Sequence, residues 1–127
     1  MPRAAQQTVL LIQHDAWLRS LLTNVLANDE GYAVLPAADG QGGLTLAQQH
    51  PPNVILLDLA LPDHAGLEVL RQLKTQPPTR GVPTILLSRF TLQHLEGTVG
   101  MSKGAGTILQ PFSLTELVKE IRQVVTR

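Results

Sequence analysis

The sequence lacks cysteine, has few aromatic residues and carries no excess charge of either sign. Without cysteine the chain has no disulfides, no thiolate chemistry and no cysteine zinc site, as we expect of a cytoplasmic protein. Its 10 Lys+Arg and 10 Asp+Glu give a formal net charge of zero, so no net field attracts nucleic-acid phosphates. One Trp, one Tyr and two Phe offer little surface for base stacking. We therefore expect no nucleic-acid partner.

Long apolar runs are also missing. No stretch approaches the roughly 20 apolar residues that cross a membrane, and residues 1–7 contain no apolar signal-peptide region. We therefore expect no membrane partner. Of the 127 residues, 43% are hydrophobic and 16% are charged, which is typical of one globular domain. Residues 1–7 are predicted to form a flexible tail and residues 8–127 a single domain.

Short apolar runs recur along the chain and predict strands. They cover residues 8–12, 32–35, 54–57, 84–87 and 107–109. Continuous runs of this length are typical of strands that are buried on both faces. Pro36 directly follows the second run, which places that strand at or near an edge of the sheet.

Amphipathic stretches alternate with these runs and predict helices. They cover residues 16–28, 40–50, 67–73, 91–99 and 114–125. Gly31 is predicted to stop the first helix, and Ser113 with Glu116 forms a capping-box pattern before the last. The apolar faces of these helices are predicted to be core.

The alternation predicts an α/β fold, a doubly wound five-stranded parallel sheet with helices on both faces. In such a sheet the carboxyl ends of the first, third and fourth strands open onto one crevice. Polar residues follow each of these strands: Gln13, His14 and Asp15; Asp58; Ser88 and Arg89; and, after the fifth strand, Gln110.

Asp58 is the most informative of these residues, because it ends a buried strand directly before a Pro/Gly-containing loop. A carboxylate can accept a phosphoryl group if a divalent cation and a positive group offset the transferring charge. Mg²⁺ prefers oxygen ligands, usually from more than one carboxylate. The activity of Asp58 therefore depends on its partners.

Residues 8–126 resemble the receiver domain of two-component response regulators. Asp58, Pro62 and Gly66 match the phosphoacceptor aspartate, the proline four residues on and the glycine four beyond it. Leu18-Arg19, Ser88, Gly104-Ala105 and Pro111-Phe112 also match. The resemblance implies a flavodoxin-like (βα)5 receiver fold with strand order 2-1-3-4-5. It also implies Mg²⁺ as cofactor, Asp58 as phosphoacceptor, and a role in signalling rather than enzymatic catalysis.

The sequence departs from the receiver pattern around Asp58. Gln13 and His14 replace the acid pair that holds Mg²⁺, Gln110 replaces the lysine before Pro111, Thr107 replaces the switch aromatic, and Arg89 replaces a small residue. The candidates left to bind a cation are Asp58, Asp15 and the backbone carbonyl of Ala60. The residues predicted to support Asp58 are Ser88, Arg89, Gln110 and Pro111.

Several side chains have two open interpretations. His14 is either a transition-metal ligand together with Asp58 or Asp15, or a loop histidine that hydrogen-bonds Asp58. Arg89 either pairs with Asp58 in place of the missing lysine or is an exposed arginine. Ser88 either bonds a phosphate or caps the next segment. The remaining histidines, His50, His64 and His94, show no metal-ligand spacing and are predicted at the surface.

These features predict a stand-alone, atypical receiver in two-component phosphorelay signalling that acts by binding a protein partner. The partner is a histidine kinase or a downstream output protein, and the surface of the fourth helix, fifth strand and fifth helix is expected to bind it or to form a homodimer. The alternative is a competent phosphoacceptor that takes a phosphoryl group from a histidine kinase onto Asp58. A flavodoxin-like nucleotide-binding role is disfavoured, because the first loop lacks a glycine motif for phosphates.

Overall fold

The computed structural model describes residues 6–61, 66–88, 105–109 and 113–125. Its strands are β1 (Thr8–Ile12), β2 (Ala33–Ala37), β3 (Val54–Asp58), β4 (Thr84–Ser88) and β5 (Ala105–Leu109). Its helices are α1 (Ala16–Asn24), α2 (Gly40–Gln49), α3 (Gly66–Thr75) and α4 (Leu114–Val125). Helix α4 is the fifth predicted helix, since the fourth, over 91–99, lies outside the described residues.

The five strands form one parallel sheet in the order β2-β1-β3-β4-β5. This confirms the α/β doubly wound architecture and the strand order that the resemblance implied. Strand β2 is at the edge, as Pro36 predicted, but it runs through Pro36 to Ala37 instead of ending at residue 35. An edge strand tolerates proline, because only one side of the strand pairs with a neighbour.

Two apolar layers enclose the sheet. Successive residues of a strand point to opposite faces, so Leu10 and Ile12 pack in one layer, which α2 and α3 cover, while Val9 and Leu11 pack in the other, with α1 and α4. All five residues of β3 are buried, which places Asp58 at the end of the central, best-shielded strand. Within the described ranges, no helix has the length and apolar character needed to cross a membrane.

The first predicted helix changes character part-way. Helix α1 ends at Asn24, and Val25–Asp29 continue as a π-helical turn in which the amide of Glu30 donates to the carbonyl of Val25, five residues earlier, at 3.2 Å. Gly31 then adopts φ = 78°. The left-handed conformation of this glycine ends the helix, as predicted.

The two chain ends of the described part are also tied to the fold. Gln7, in the predicted tail, accepts a hydrogen bond from the amide of Ala33 at 2.9 Å. At the other end, the amide of Glu116 donates to the hydroxyl oxygen of Ser113 at 3.0 Å, which is the N-terminal half of the predicted capping box. Residues 1–5 of the tail lie outside the described residues.

Candidate functional site

Asp58 lies at the carboxyl end of β3, between β1 and β4. Its side chain is only 3% exposed. One carboxylate oxygen, Oδ1, accepts a hydrogen bond from the amide of Ala60 at 2.9 Å. The loop after Asp58 is held by a second bond, from the amide of Leu59 to the carbonyl of Leu87 at 3.1 Å. These two backbone hydrogen bonds fix the position of the carboxylate at the carboxyl end of the central strand without help from any other side chain.

His14 contacts the other oxygen of Asp58. Its Nδ1 lies 2.5 Å from Oδ2 of Asp58, and its side chain is 45% exposed. The two atoms are joined by a short hydrogen bond. Of the two interpretations left open for His14, the structure shows the hydrogen bond to Asp58.

Arg19 fixes the loop that carries His14. Its guanidinium Nη1 donates to the carbonyl of Gln13 at 2.9 Å and to the carbonyl of His14 at 3.3 Å. On the other side, the amide of Gln13 donates to the carbonyl of Ala37 at 3.0 Å. Sequence reasoning gave Arg19 no role beyond its match to the receiver pattern. The sequence feature that could have indicated this role is the position of the arginine in the first turn of the helix that follows the loop.

Gln13 replaces one carboxylate of the acid pair and is almost fully buried, at 1% exposure. Its Oε1 accepts a hydrogen bond from the amide of Asp15 at 3.1 Å. Its Nε2 is buried and has no hydrogen-bond partner among the described residues. Gln13 therefore brings an unused donor, and no negative charge, to the strand end next to Asp58.

Asp15 is the N-cap of α1. Its Oδ1 accepts from the amide of Leu18 at 2.9 Å, which satisfies one of the free amides at the start of the helix. One oxygen of this carboxylate therefore stabilises the start of the helix, whereas the sequence predicted Asp15 as a candidate cation ligand. Trp17, in the first turn of the same helix, is 73% exposed, and it is the only tryptophan of the chain.

The capping role of Asp15 has a measurable consequence. Asp15→Ala should lower the free energy of unfolding by about 1 kcal/mol in urea denaturation, because the amide of Leu18 loses its acceptor. Asp15→Asn keeps a side-chain oxygen and should stay within a few tenths of a kcal/mol of wild type, roughly the spread among good caps. Equal losses in both variants would show that the charge of Asp15, and not the cap, stabilises the fold.

Gly66, the first residue of α3, lies against the backbone of Asp58 and Leu59. Its amide donates to the carbonyl of Leu59 at 3.2 Å. A Cβ atom at Gly66 would lie 2.5 Å from the Cα of Leu59 and 2.8 Å from the backbone oxygen of Asp58. The start of α3 packs directly against the backbone that carries the carboxylate, so this position excludes any side chain.

Other predicted site residues are only partly described or fall outside the described residues. Ser88 is the last residue of β4 and pairs with Leu109 of β5, and Thr107 lies within β5. Arg89, Gln110 and Pro111, which were predicted to support Asp58, lie outside the described residues, as do Pro62 and His64. Their roles stay predictions.

The described residues do not fit Mg²⁺ as the receiver pattern would hold it. Mg²⁺ needs several hard oxygen ligands in octahedral geometry. Here His14 hydrogen-bonds one oxygen of Asp58, Asp15 caps α1 and the oxygen of Gln13 accepts from a backbone amide. Across the described ranges, no group of three or more His, Cys, Asp or Glu side chains converges on one point.

Comparison with known proteins agrees with the fold and with the position of Asp58 at a strand end. The family described as response regulator receiver domain matches residues 9–122. The chain belongs to this family. The resemblance noted in the sequence is therefore confirmed, and the domain is a module of two-component signalling.

Relatives in mycobacteria are about one-third identical to this receiver domain over the aligned residues. The DNA-binding response regulator MtrA of Mycobacterium tuberculosis is 34% identical over 96% of this chain and 52% of its own length. The transcriptional regulatory protein KdpE of the same species is 35% identical over 87% of this chain and 46% of its own length. The chain thus spans about half the length of these relatives.

Solved receiver structures share the fold. The chemotaxis response regulator CheY4 of Vibrio cholerae superimposes with a TM-score of 0.82 at 28% identity, over 94% of this chain and 99% of that one. The receiver domain of a sensor histidine kinase from Pseudomonas aeruginosa gives 0.80 at 26% identity, over 97% and 100% of the two chains. That structure has a magnesium ion coordinated in its active-site cleft.

Proposed function

We propose that this domain is an atypical receiver that signals by binding a protein partner while Asp58 stays unphosphorylated or is phosphorylated inefficiently. The observation that carries the proposal is the contact between Nδ1 of His14 and Oδ2 of Asp58 at 2.5 Å. This imidazole engages the oxygen of Asp58 that the Ala60 amide does not bond. A phosphoryl donor has to displace it before it can react there.

Charge supports the same proposal. A receiver that keeps its acid pair has three carboxylates at the carboxyl end of the sheet, and together they attract a divalent cation. That cation has to offset their negative charge before an anionic phosphoryl group can approach. Gln13 and His14 replace two of the three, and Asp58 is hydrogen-bonded to an imidazole. The site therefore no longer has the carboxylates that recruit Mg²⁺, and Asp58 has a partner in the absence of metal.

A second candidate function is a competent phosphoacceptor that takes a phosphoryl group from a histidine kinase onto Asp58. The position of Asp58 favours it, because the carboxylate ends the central strand and the Ala60 amide orients it at 2.9 Å. In this function the imidazole of His14, which is half exposed, swings away to admit the donor.

The partner we propose is a protein, either a histidine kinase or an output protein or domain. The zero net charge of the chain gives no electrostatic drive toward nucleic acid, although relatives such as MtrA are DNA-binding regulators of about twice this length. The proposed contact surface includes α4 and β5. The rest of that surface, the predicted fourth helix, lies outside the described residues.

Beryllofluoride, which caps a phosphoacceptor carboxylate as a phosphoryl mimic, tests the proposal. With millimolar Mg²⁺ it should leave the amide resonances of Asp58, Ala60 and Ser88 in the ¹H–¹⁵N spectrum unchanged, because His14 holds the carboxylate and the metal acids are absent. Saturable shifts at these amides would instead favour the competent phosphoacceptor.

A restored variant provides the positive control for the same titration. Gln13→Asp and His14→Asp return the acid pair, and Gln110→Lys returns the lysine of the receiver pattern. This triple variant should show Mg²⁺-dependent shifts around Asp58. A wild-type chain that responds as strongly as the triple variant would contradict the proposal.

A further inference from the structure

A groove of about 510 Å³ lies between α4 and the π-helical turn Val25–Asp29. Its apolar lining consists of Val25, Leu114 and Val118, which are all only partly buried. The groove is open to solvent along one side, whereas sites for small molecules enclose most of their ligand. A π-helical turn is rare and is found frequently at functional sites. The shape and the lining therefore indicate a contact surface for another protein chain.

An ion pair joins the two walls of the groove at one end. Oε1 of Glu30 accepts hydrogen bonds from Nε of Arg122 at 3.0 Å and from Nη2 of Arg122 at 2.5 Å. The side chain of Glu30 is only 14% exposed, while that of Arg122 is 64% exposed. The pair connects residues 92 positions apart and links the end of the first helix to α4. The two walls are therefore joined in the absence of a partner.

The walls of the groove carry opposite charges. Asp29 and Glu30 lie on the side of the first helix, whereas Lys119 and Arg122 lie on α4. Glu30 and Arg122 pair with each other. No ion pair joins the exposed Asp29 or Lys119 to another described residue. The groove therefore presents one acid and one base on opposite walls, and its four charges cancel.

These charges favour a second copy of this chain as the occupant. In a two-fold symmetric dimer the same patch meets itself, so that each contact between two different residues occurs twice. A patch with an acid on one wall and a base on the other is complementary to itself under this symmetry. The net charge of the chain is zero, so no long-range repulsion opposes the association of two copies. A strongly acidic or strongly basic partner would be repelled by one of the walls.

We propose that two copies of this receiver domain associate through the groove, with Asp29 of each copy paired to Lys119 of the other. The partly buried aliphatic side chains of the groove are then removed from water, which supplies most of the attraction, while the two charge pairs fix the register. This surface differs from the homodimer surface expected from the sequence, because it includes the π-helical turn instead of β5 and the fourth predicted helix. The proposal goes beyond the signalling role and does not depend on whether Asp58 accepts a phosphoryl group.

Sedimentation equilibrium of the purified chain tests the proposal. The wild-type chain should show a monomer–dimer equilibrium with a dissociation constant on the order of tens of micromolar, because a small interface gives a weak complex. Asp29→Lys and Lys119→Glu should each weaken association at least about tenfold, since each variant places like charges opposite one another twice in the dimer. A wild-type chain that remains monomeric up to about 1 mM would overturn the proposal.

Glu120→Lys is the matched control for Asp29→Lys. It makes the same change of charge, but Glu120 lies on α4 outside the groove, on the flank that faces away from it, as the helical repeat requires. This variant should keep the dissociation constant within about threefold of wild type, because isolated surface charges contribute little. A loss of association in Glu120→Lys that Asp29→Lys does not show would place the contact on the other flank of α4 and contradict the proposal.

Mixing the two groove variants distinguishes this dimer from any other. In an equimolar mixture of Asp29→Lys and Lys119→Glu, the heterodimer has an acid opposite a base at both contacts, although neither variant forms such pairs with itself. The mixture should recover a dissociation constant within about threefold of wild type, because both attractive pairs are restored. Recovery would also show that both variants are folded, and circular dichroism checks each of them separately. Folded variants that associate as weakly in the mixture as alone would contradict the proposal.

Discussion

Gly66→Ala should lower the free energy of unfolding by about 3 kcal/mol, at the upper end of what overpacking usually costs. The added Cβ would lie 2.5 Å from the Cα of Leu59 and 2.8 Å from the backbone oxygen of Asp58. Both atoms belong to the backbone, so no rotamer change relieves the overlap, and α3 or the loop has to shift. Urea denaturation followed by circular dichroism measures the loss.

The same substitution should also disturb the site, because the added Cβ meets the backbone of Asp58 and Leu59, which carries the carboxylate. The amide resonances of Leu59 and Ala60 are expected to move in Gly66→Ala, and they report the displacement directly. Gly81→Ala is the matched control, since a Cβ there meets nothing within 4 Å, and its effect should stay within about 0.5 kcal/mol. A Gly66→Ala variant as stable as this control would contradict the packing argument.

Gly66 also shows which features of the site could be predicted from the sequence and which could not. Its spacing from Asp58 and Pro62 carried the resemblance to receivers, but the spacing gives no reason for a glycine. The reason is a close approach between the first turn of α3 and the backbone of Leu59. The approach is a property of the packed structure and cannot be derived from residue types along the chain.

The fold was predictable because its strongest determinant is burial. The run Val54–Leu57 is continuously apolar and becomes the fully buried central strand, and Pro36 correctly indicated an edge. The local conformation of the backbone was harder to predict from the sequence. Nothing in the apolar spacing of residues 16–28 predicted that the helix changes to a π-helical turn at Val25, because this is the last turn and Leu26 is its one buried residue.

Strand ends predicted most residues of the candidate site, but the sequence offered the hydrogen bond between His14 and Asp58 only as one of two interpretations. Strand ends gave Gln13, His14 and Asp58, whereas the bond between His14 and Asp58 joins residues 44 positions apart. It depends on the register of β1 with β3 and on the rotamer of one half-exposed ring. For the same reason the sequence placed Asp15 among the cation candidates, although its carboxylate is used within its own helix.

His14→Ala should lower the free energy of unfolding at neutral pH by about 2 kcal/mol, within the range for a buried acceptor that loses its partner. The carboxylate of Asp58 is 3% exposed and would keep only the Ala60 amide at 2.9 Å. Water enters the space that the half-exposed imidazole leaves, which is why we expect less than the cost of stripping a fully buried ion pair. Urea denaturation measures this loss.

A double-mutant cycle with Asp58→Ala shows whether the loss belongs to the contact. In the Asp58→Ala background, His14→Ala should cost less than about 0.5 kcal/mol, which gives a coupling of roughly 1.5 kcal/mol, in the range for residues in direct contact. His50→Ala, at an exposed position, should stay within about 0.5 kcal/mol of wild type. Equal costs for His14→Ala in both backgrounds would mean that the backbone alone holds Asp58. The imidazole would then be no obstacle to a phosphoryl donor, and the competent phosphoacceptor would become the better description of this receiver.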